Sequence, residues 1–196
     1  MSPSSLALRL KTETAASHER MHQLMDQAKV FDTLENYKQF TLSQYYFQLE
    51  VEHLFEKDHV ATLIPDLDIR GRSEQAKLDL ADLNVQPQGC SLYGQNLVSQ
   101  NVIFPAALGW IYVSEGSTLG AAFLFKQAQK QLGLSAEHGA RNLAAYPEGR
   151  AKVWKRFVQA LDDAQLDQSQ QDQVVQGALD AFHYFGELLT NLAKLR

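Results

Sequence analysis

The sequence predicts an all-α fold, because its long periodic segments repeat apolar residues at helical spacing and β-branched runs with period-two alternation are absent. Its 196 residues, 45% of them hydrophobic, are enough for one well-buried core and too few to argue for two domains. No repeat, low-complexity tract or linker divides the chain. We therefore expect a single domain over residues 1–196 with about seven or eight helices.

The helix boundaries are predicted from capping residues, prolines and glycines. The first helix covers about residues 5–28, and an aromatic-rich helix follows Thr33 and ends before Pro65. Ser73 can cap a short helix to about residue 83, and Ser135 can cap another. The remaining helices are expected over residues 104–132, 147–163 and 168–195, with residues 84–100 the least regular part of the chain.

Composition excludes several classes of function. A net charge of −5 and a pI near 5.6 leave no basic face, so we expect no nucleic acid partner. The single cysteine, Cys90, rules out an internal disulfide and offers no zinc spacing. The polar, charged N-terminus and the absence of a long apolar run predict neither a signal peptide nor a membrane span, and hence a cytoplasmic protein.

The segment 104–132 contains three interior glycines, each of which costs about 1 kcal/mol relative to alanine in a helix. Gly109, Gly116 and Gly120 lie seven and four residues apart. At 3.6 residues per turn they fall within roughly 40° of one another on one face. Two interpretations are open for this bare strip of backbone: close contact with another helix, or a helix that bends over a planar ligand beside Ser117 and Thr118.

The end of the first helix carries a second candidate site. Lys11 precedes His18 by two turns, Thr14 and Ala15 lie between them on the same side, and His22 follows one turn later. A cation, small residues and an imidazole suit a flat anionic macrocycle, since imidazole binds iron and lysine pairs with a carboxylate. An ordinary solvated histidine remains the alternative from these residues alone.

Both segments resemble the heme oxygenase family. The stretch Leu-Lys-Thr-Glu-Thr-Ala-Ala-Ser-His at residues 10–18 is similar to the family's opening with its proximal histidine. The stretch Tyr-Val-Ser-Glu-Gly-Ser-Thr-Leu-Gly-Ala at residues 112–121 resembles the distal helix of the bacterial branch. Weaker similarity runs through residues 37–56 and 172–182. The resemblance thus covers most of the chain in the expected order.

The resemblance implies a heme held between the first helix and the glycine-containing helix. His18 would be the axial ligand of the iron, and the backbone from Gly116 to Gly120 would cross the other heme face and leave room for oxygen. Ser117 stands where the animal branch has an aspartate, and His22 stands where a carboxylate often orients the proximal imidazole. Residues predicted to meet the heme propionates or line the pocket are Lys11, Tyr112, Lys155 and Arg156, with Lys152 ranked lower.

The implied reaction converts heme to biliverdin, carbon monoxide and ferrous iron, with O2 and electrons from a ferredoxin or a flavin reductase. We expect a monomer. Which meso carbon is cleaved stays undecided, because Lys11 favours one rotation of the heme in its pocket, whereas Lys126 or Lys130 favours another. Iron acquisition, heme detoxification and bilin supply are equally open as the biological purpose.

Two other functions compete with this interpretation. A di-iron carboxylate oxygenase is suggested by two Glu-x-x-His pairs, Glu19 with His22 and Glu56 with His59, with Glu115 as the attractive interior carboxylate. A non-catalytic heme carrier would need the same His18 and Lys11. The carrier would gain by filling the iron's sixth position with His or Met, and this chain has glycine and serine there.

Overall fold

The computed structural model describes residues 5–89, 96–144 and 146–191, and in these residues the predicted helical fold is observed. The α-helices are α1 (Leu6–Glu13), α2 (Ala15–Ala28), α3 (Leu34–His53), α4 (Val60–Leu63), α5 (Leu67–Arg70), α6 (Ser73–Asp82), α7 (Ala106–Leu132), α8 (Arg150–Asp163) and α9 (Gln168–Thr190). Short 3-10 segments cover Leu54–Glu56, Val98–Asn101 and Arg141–Leu143. Cys90 lies outside the described residues.

The prediction of one helix over residues 5–28 is wrong, because α1 ends and α2 begins at Thr14. The Thr14 hydroxyl donates to the carbonyl oxygen of Leu10 at 2.7 Å, and the backbone there has φ −102° and ψ 4°. A threonine bonded back to the preceding turn bends a helix. Backbone bonds from Thr14 to Leu10 and from His18 to Thr14 keep the two helices nearly continuous.

Other helix starts also differ from the sequence prediction. Ser73 is the first residue of α6 and not its cap, because the Glu52 carboxylate accepts hydrogen bonds from the amides of Arg72 and Ser73 at 2.6 Å each. Ser135 caps no helix, since its hydroxyl accepts from the amide of Glu137 inside a turn. Residues 147–149 precede α8 instead of opening it. In each case a tertiary contact or a turn replaced the local capping signal.

The longest helix, α7, crosses α9 with the two backbones in direct contact. A Cβ at Gly109 would overlap the carbonyl oxygen of Val174 and the amide of Ala178, and one at Gly177 would overlap the carbonyl of Ala106. Glycine on both sides permits this approach. The buried rings of Phe47, Trp110 and Tyr184 meet beside the crossing and bring α3, α7 and α9 into one core.

Helix α9 also supports the N-terminal helices. Both α1 and α2 pack on α9, while α1 and α7 pack on α8. In the described part of the chain, α2 and α7 share no extensive interface with each other. The predicted proximal and distal helices therefore both pack on α9.

Candidate active site

His18 lies on α2 with its imidazole exposed and edge-on to buried Phe182 of α9, at 6.2 Å between ring centroids. The ring of His22 is 4.7 Å from that of His18. Partial burial, and second the charge of His22, lower the pKa of His18 below its ordinary value of 6.5. His18 is therefore neutral at pH 7, the form in which an imidazole nitrogen binds a metal.

Lys11 lies near the end of α1, and its side chain is exposed. No carboxylate of the described residues pairs with it, because neighbouring Glu13 is held by Arg9 at 2.8 Å. The helix break at Thr14 separates Lys11 from His18, so their spacing along one ideal helix is only approximate. The Lys11 ammonium is free to meet an anionic group near α2.

The glycine strip of α7 divides into a structural part and an open part. Gly109 belongs to the crossing with α9, so of the two interpretations left open for the glycine strip, close contact with another helix holds at this end. A Cβ at Gly116 would meet only the Trp154 ring, at 3.6 Å, and one at Gly120 would meet nothing within 4 Å. The backbone from Gly116 to Gly120 is thus accessible from one side.

Ser117 is exposed beside Gly116, and its hydroxyl is hydrogen-bonded to Ser114 and Arg72. Its hydroxyl donates to the carbonyl of Ser114 at 2.6 Å and accepts from the Arg72 guanidinium at 3.3 Å. The same guanidinium reaches the carbonyl and the hydroxyl of Ser114, at 3.0 and 3.1 Å, and Gln48 also bonds that hydroxyl. Arg72 was missed at the level of sequence, because nothing local links it to a helix that begins more than thirty residues later.

Tyr112 is half-buried on α7, with its ring 5.5 Å from that of Trp154 on α8. Its hydroxyl makes no hydrogen bond to the described residues, and burial raises the pKa of the phenol, which stays neutral. Trp154 was not singled out from the sequence, although it covers Gly116 and contacts Tyr112. These two rings line the side of α7 that leads to the open glycines.

The basic residues predicted on α8 have different surroundings. Arg156 binds the Asp66 carboxylate at 2.6 Å and both oxygens of Glu148 at 2.6 and 2.7 Å, and these two partners raise the pKa of its guanidinium. Lys152 lies 3.7 Å from the same Glu148. Lys155 is exposed and has no ion pair with a described residue. Of this group, Lys155 is the cation left for a ligand.

Glu115, Glu56 and His59, which were suggested for a di-iron site, have other contacts or positions in the fold. Glu115 is buried against Arg70 at 2.5 Å and accepts the Tyr146 hydroxyl at 2.9 Å. Glu56 ends a 3-10 segment and His59 has φ +67°, so this pair does not share a helical face. Among the described residues no group of three or more possible ligands converges.

Comparisons with known proteins agree with the predicted family. A family model described as heme oxygenase matches residues 4–191. Heme oxygenase PigA of Pseudomonas aeruginosa is 41% identical over 182 residues, which are 92% of this chain and 89% of the relative. The NO- and CO-bound heme oxygenase of Neisseria meningitidis aligns with a TM-score of 0.88 and 35% identity, over 98% of this chain and 94% of that one.

The chain therefore belongs to the heme oxygenase family. It is a heme-degrading oxygenase with heme and O2 as substrates, which confirms the family, the all-α fold and the enzyme class predicted from the sequence. Heme oxygenase-1 of Synechocystis, in complex with heme, shares the fold with a TM-score of 0.71 at 19% identity, over 97% of this chain. In the described residues no helix is long and apolar enough to cross a membrane.

Proposed function

We propose that this heme oxygenase opens heme to biliverdin, carbon monoxide and ferrous iron, with heme held between α2 and α7 and its iron bound by His18. The observation that carries the proposal is an exposed imidazole on α2 together with a stretch of α7 backbone that is open at Gly120 and faces only the Trp154 ring at Gly116, both helices packing on α9. Bound heme supplies the iron that activates O2 and the porphyrin that is oxidised.

The residues of this chain fit heme in three respects. The neutral nitrogen of His18 is a ligand of the type that holds heme iron. Gly116 and Gly120 lack the Cβ atoms that would keep a flat ring from the backbone of α7. Lys11 and Lys155 have no ion-pair partner in the described part of the chain and can meet carboxylates at the rim of the macrocycle, and the Tyr112 hydroxyl, which has no partner there either, is a further donor.

Ser117 is proposed to orient a water molecule or a proton near the open glycines. Its own proton is directed at the carbonyl of Ser114, and Arg72 donates to its oxygen. These two bonds restrain the hydroxyl, and its oxygen keeps one further acceptor position for a water molecule. No carboxylic acid or histidine is assigned as a proton donor.

Several finer predictions of the resemblance belong to the proposal. Electrons come from a ferredoxin or a flavin reductase, and the enzyme acts as a cytoplasmic monomer. Lys11 favours one rotation of heme, whereas Lys126 or Lys130, both exposed late in α7, favours another. The proposed biological role is either iron acquisition or bilin supply. The biliverdin isomer that is formed, and what becomes of it in the cell, would distinguish these two roles.

The test is an absorption spectrum of the full chain mixed with ferric heme, followed in air after addition of a reductant and catalase. A one-to-one complex whose Soret band decays while a bilin band grows supports the proposal. A complex in which heme survives would instead make this chain a heme carrier and overturn the proposed turnover.

His18→Ala should abolish iron ligation and turnover while leaving the fold unchanged, because the residue is exposed. His138→Ala is the matched control, since His138 is exposed in a turn and lies 3.6 Å from Asp82. Retained turnover in the double variant His18→Ala, His22→Ala would refute the assignment, because the double change also removes the imidazole next to His18.

A further inference from the structure

A cleft of about 140 Å³ lies beside α7, between Thr118 and the segments around residues 69–75 and 141–150. Its polar lining residues include Arg72, Gln75, Asn142, Tyr146 and Arg150. Ser114 and Thr118 each lie two residues from Gly116 and therefore about 200° around the helix from it. The cleft thus opens on the side of α7 away from Gly116, although Arg72 at its wall also reaches Ser117, at 3.3 Å.

Two of the lining guanidinium groups have no carboxylate partner among the described residues. Arg72 is nine-tenths buried, its guanidinium donates to Ser114 and Ser117 alone among the described residues, and its buried Nε has no hydrogen-bond partner there. Arg150 donates to the carbonyl oxygens of Thr118 and Leu143, at 2.5 and 3.3 Å. The acceptors of Arg72 and Arg150 are thus neutral groups, which bond some of the guanidinium N–H donors and do not neutralise the positive charges.

The charges of Arg72 and Arg150 act on each other. Burial lowers the pKa of Arg150, and the positive charge of Arg72 lowers it further. Nearby carboxylates have other partners: Glu115 pairs with Arg70, Asp79 and Asp82 pair with Arg141, and Glu52 accepts from the Ser73 hydroxyl and from two backbone amides. Two positive charges close together in a partly enclosed cleft are unfavourable unless a bound anion compensates them.

We propose that this cleft is a binding site for a small free oxyanion of the phosphate or sulfate class, held between Arg72 and Arg150. The planar fork of each guanidinium matches two oxygens of such an anion, and charge-assisted bonds of this kind are the strong ones. The exposed amide of Gln75 lies at the same cleft and offers neutral donors. The site depends on neither His18 nor the glycines.

The test titrates inorganic phosphate into the full chain in chloride buffer at constant ionic strength, by calorimetry and by phosphorus NMR. We expect saturable one-to-one binding that Arg150→Gln weakens by at least tenfold. Lys152→Gln on the same helix removes one exposed positive charge and should change the affinity by less than twofold. Unsaturable binding, or equal losses in both variants, would overturn the site.

Two further measurements keep the proposal falsifiable. If Arg150→Gln fails to fold, Arg150→Lys keeps the charge without the fork and should bind phosphate several-fold more weakly, whereas unchanged affinity counts against the proposal. Phosphate affinity should be the same within about twofold in apo and heme-loaded protein. Competition between phosphate and heme would identify the anion site with the heme site and refute a separate cleft.

Discussion

Replacing Gly120 by alanine should stabilise the apoprotein and impair heme turnover at the same time. A Cβ at this position meets nothing within 4 Å, so the methyl group fits without displacing any neighbour. Removing an interior helix glycine stabilises by about 1 kcal/mol, which corresponds to a rise in melting temperature of about 2–4 °C for a chain of this size. The same methyl group would stand where the proposed heme face contacts the backbone.

The assay combines urea or thermal unfolding of the apoprotein with heme titration and single-turnover bilin formation. If the methyl group costs about 1.4 kcal/mol of contact with heme, the dissociation constant rises tenfold. Gln129→Ala, an exposed change late in the same helix, is the control and should leave heme affinity unchanged. A stabilised Gly120→Ala protein with normal heme affinity and turnover would refute the assignment of this surface to heme.

The other glycines of α7 extend the same test. Gly116→Ala meets only the Trp154 ring at ordinary contact distance and should behave like Gly120→Ala. Gly109→Ala has no such room, because its methyl group would overlap the backbone of α9. Overpacking of this kind typically costs about 1–3 kcal/mol or more, so this variant should be destabilised even without heme.

Three further outcomes are expected. Lys11→Gln should weaken heme affinity several-fold in titrations, through loss of one charge-assisted bond to a propionate. The pKa of His18 is lowered in the folded state, so the folded protein binds fewer protons than the unfolded one near pH 6.5. The free energy of unfolding, measured in urea, should therefore rise as the pH increases through this range. His18→Ala should remove this pH dependence. Glu115→Gln should destabilise by about 1.5–3 kcal/mol in urea unfolding, because it removes the nearer carboxylate of buried Arg70 and leaves only Asp66, at 3.5 Å.

Controls for the charge variants come from one exposed pair on α6, Lys77 and Glu74, whose charged atoms lie 4.0 Å apart. Lys77→Gln should not change heme affinity, and Glu74→Gln should cost less than about 1 kcal/mol of stability. Equal effects of Lys11→Gln and Lys77→Gln would refute a specific propionate contact. A pH profile of stability that His18→Ala leaves unchanged would assign the proton linkage to another group.

Periodicity predicted α7 correctly and placed its glycines on one face, but it carries no information about what covers that face. Gly109 and Gly116 look alike in sequence, yet one contacts the backbone of α9 and the other a tryptophan ring. Only the fold separates these roles. The break at Thr14 was missed for a related reason, since a threonine is compatible with helix and bends it only when its hydroxyl bonds to the preceding turn.

Site residues close together in sequence were easier to find than those that the fold brings together. Lys11 and His18 could be linked because seven residues separate them on helical segments. Arg72 contacts Ser117 at 3.3 Å across 45 residues, and Arg156 contacts Asp66 across 90. No local pattern distinguishes an arginine committed to two carboxylates from one that is free for a ligand.

The crossing of α7 with α9 gives the two halves of the long helix different surroundings. Its first turns are locked by backbone contact at Gly109, while Leu119 and Phe123 beyond Gly116 expose large apolar side chains. A rigid substrate that enters as a flat ring and leaves as an open chain requires the wall beside it to adjust. With heme placed as proposed, we expect that adjustment in the second half of α7, while the first half stays anchored in the core.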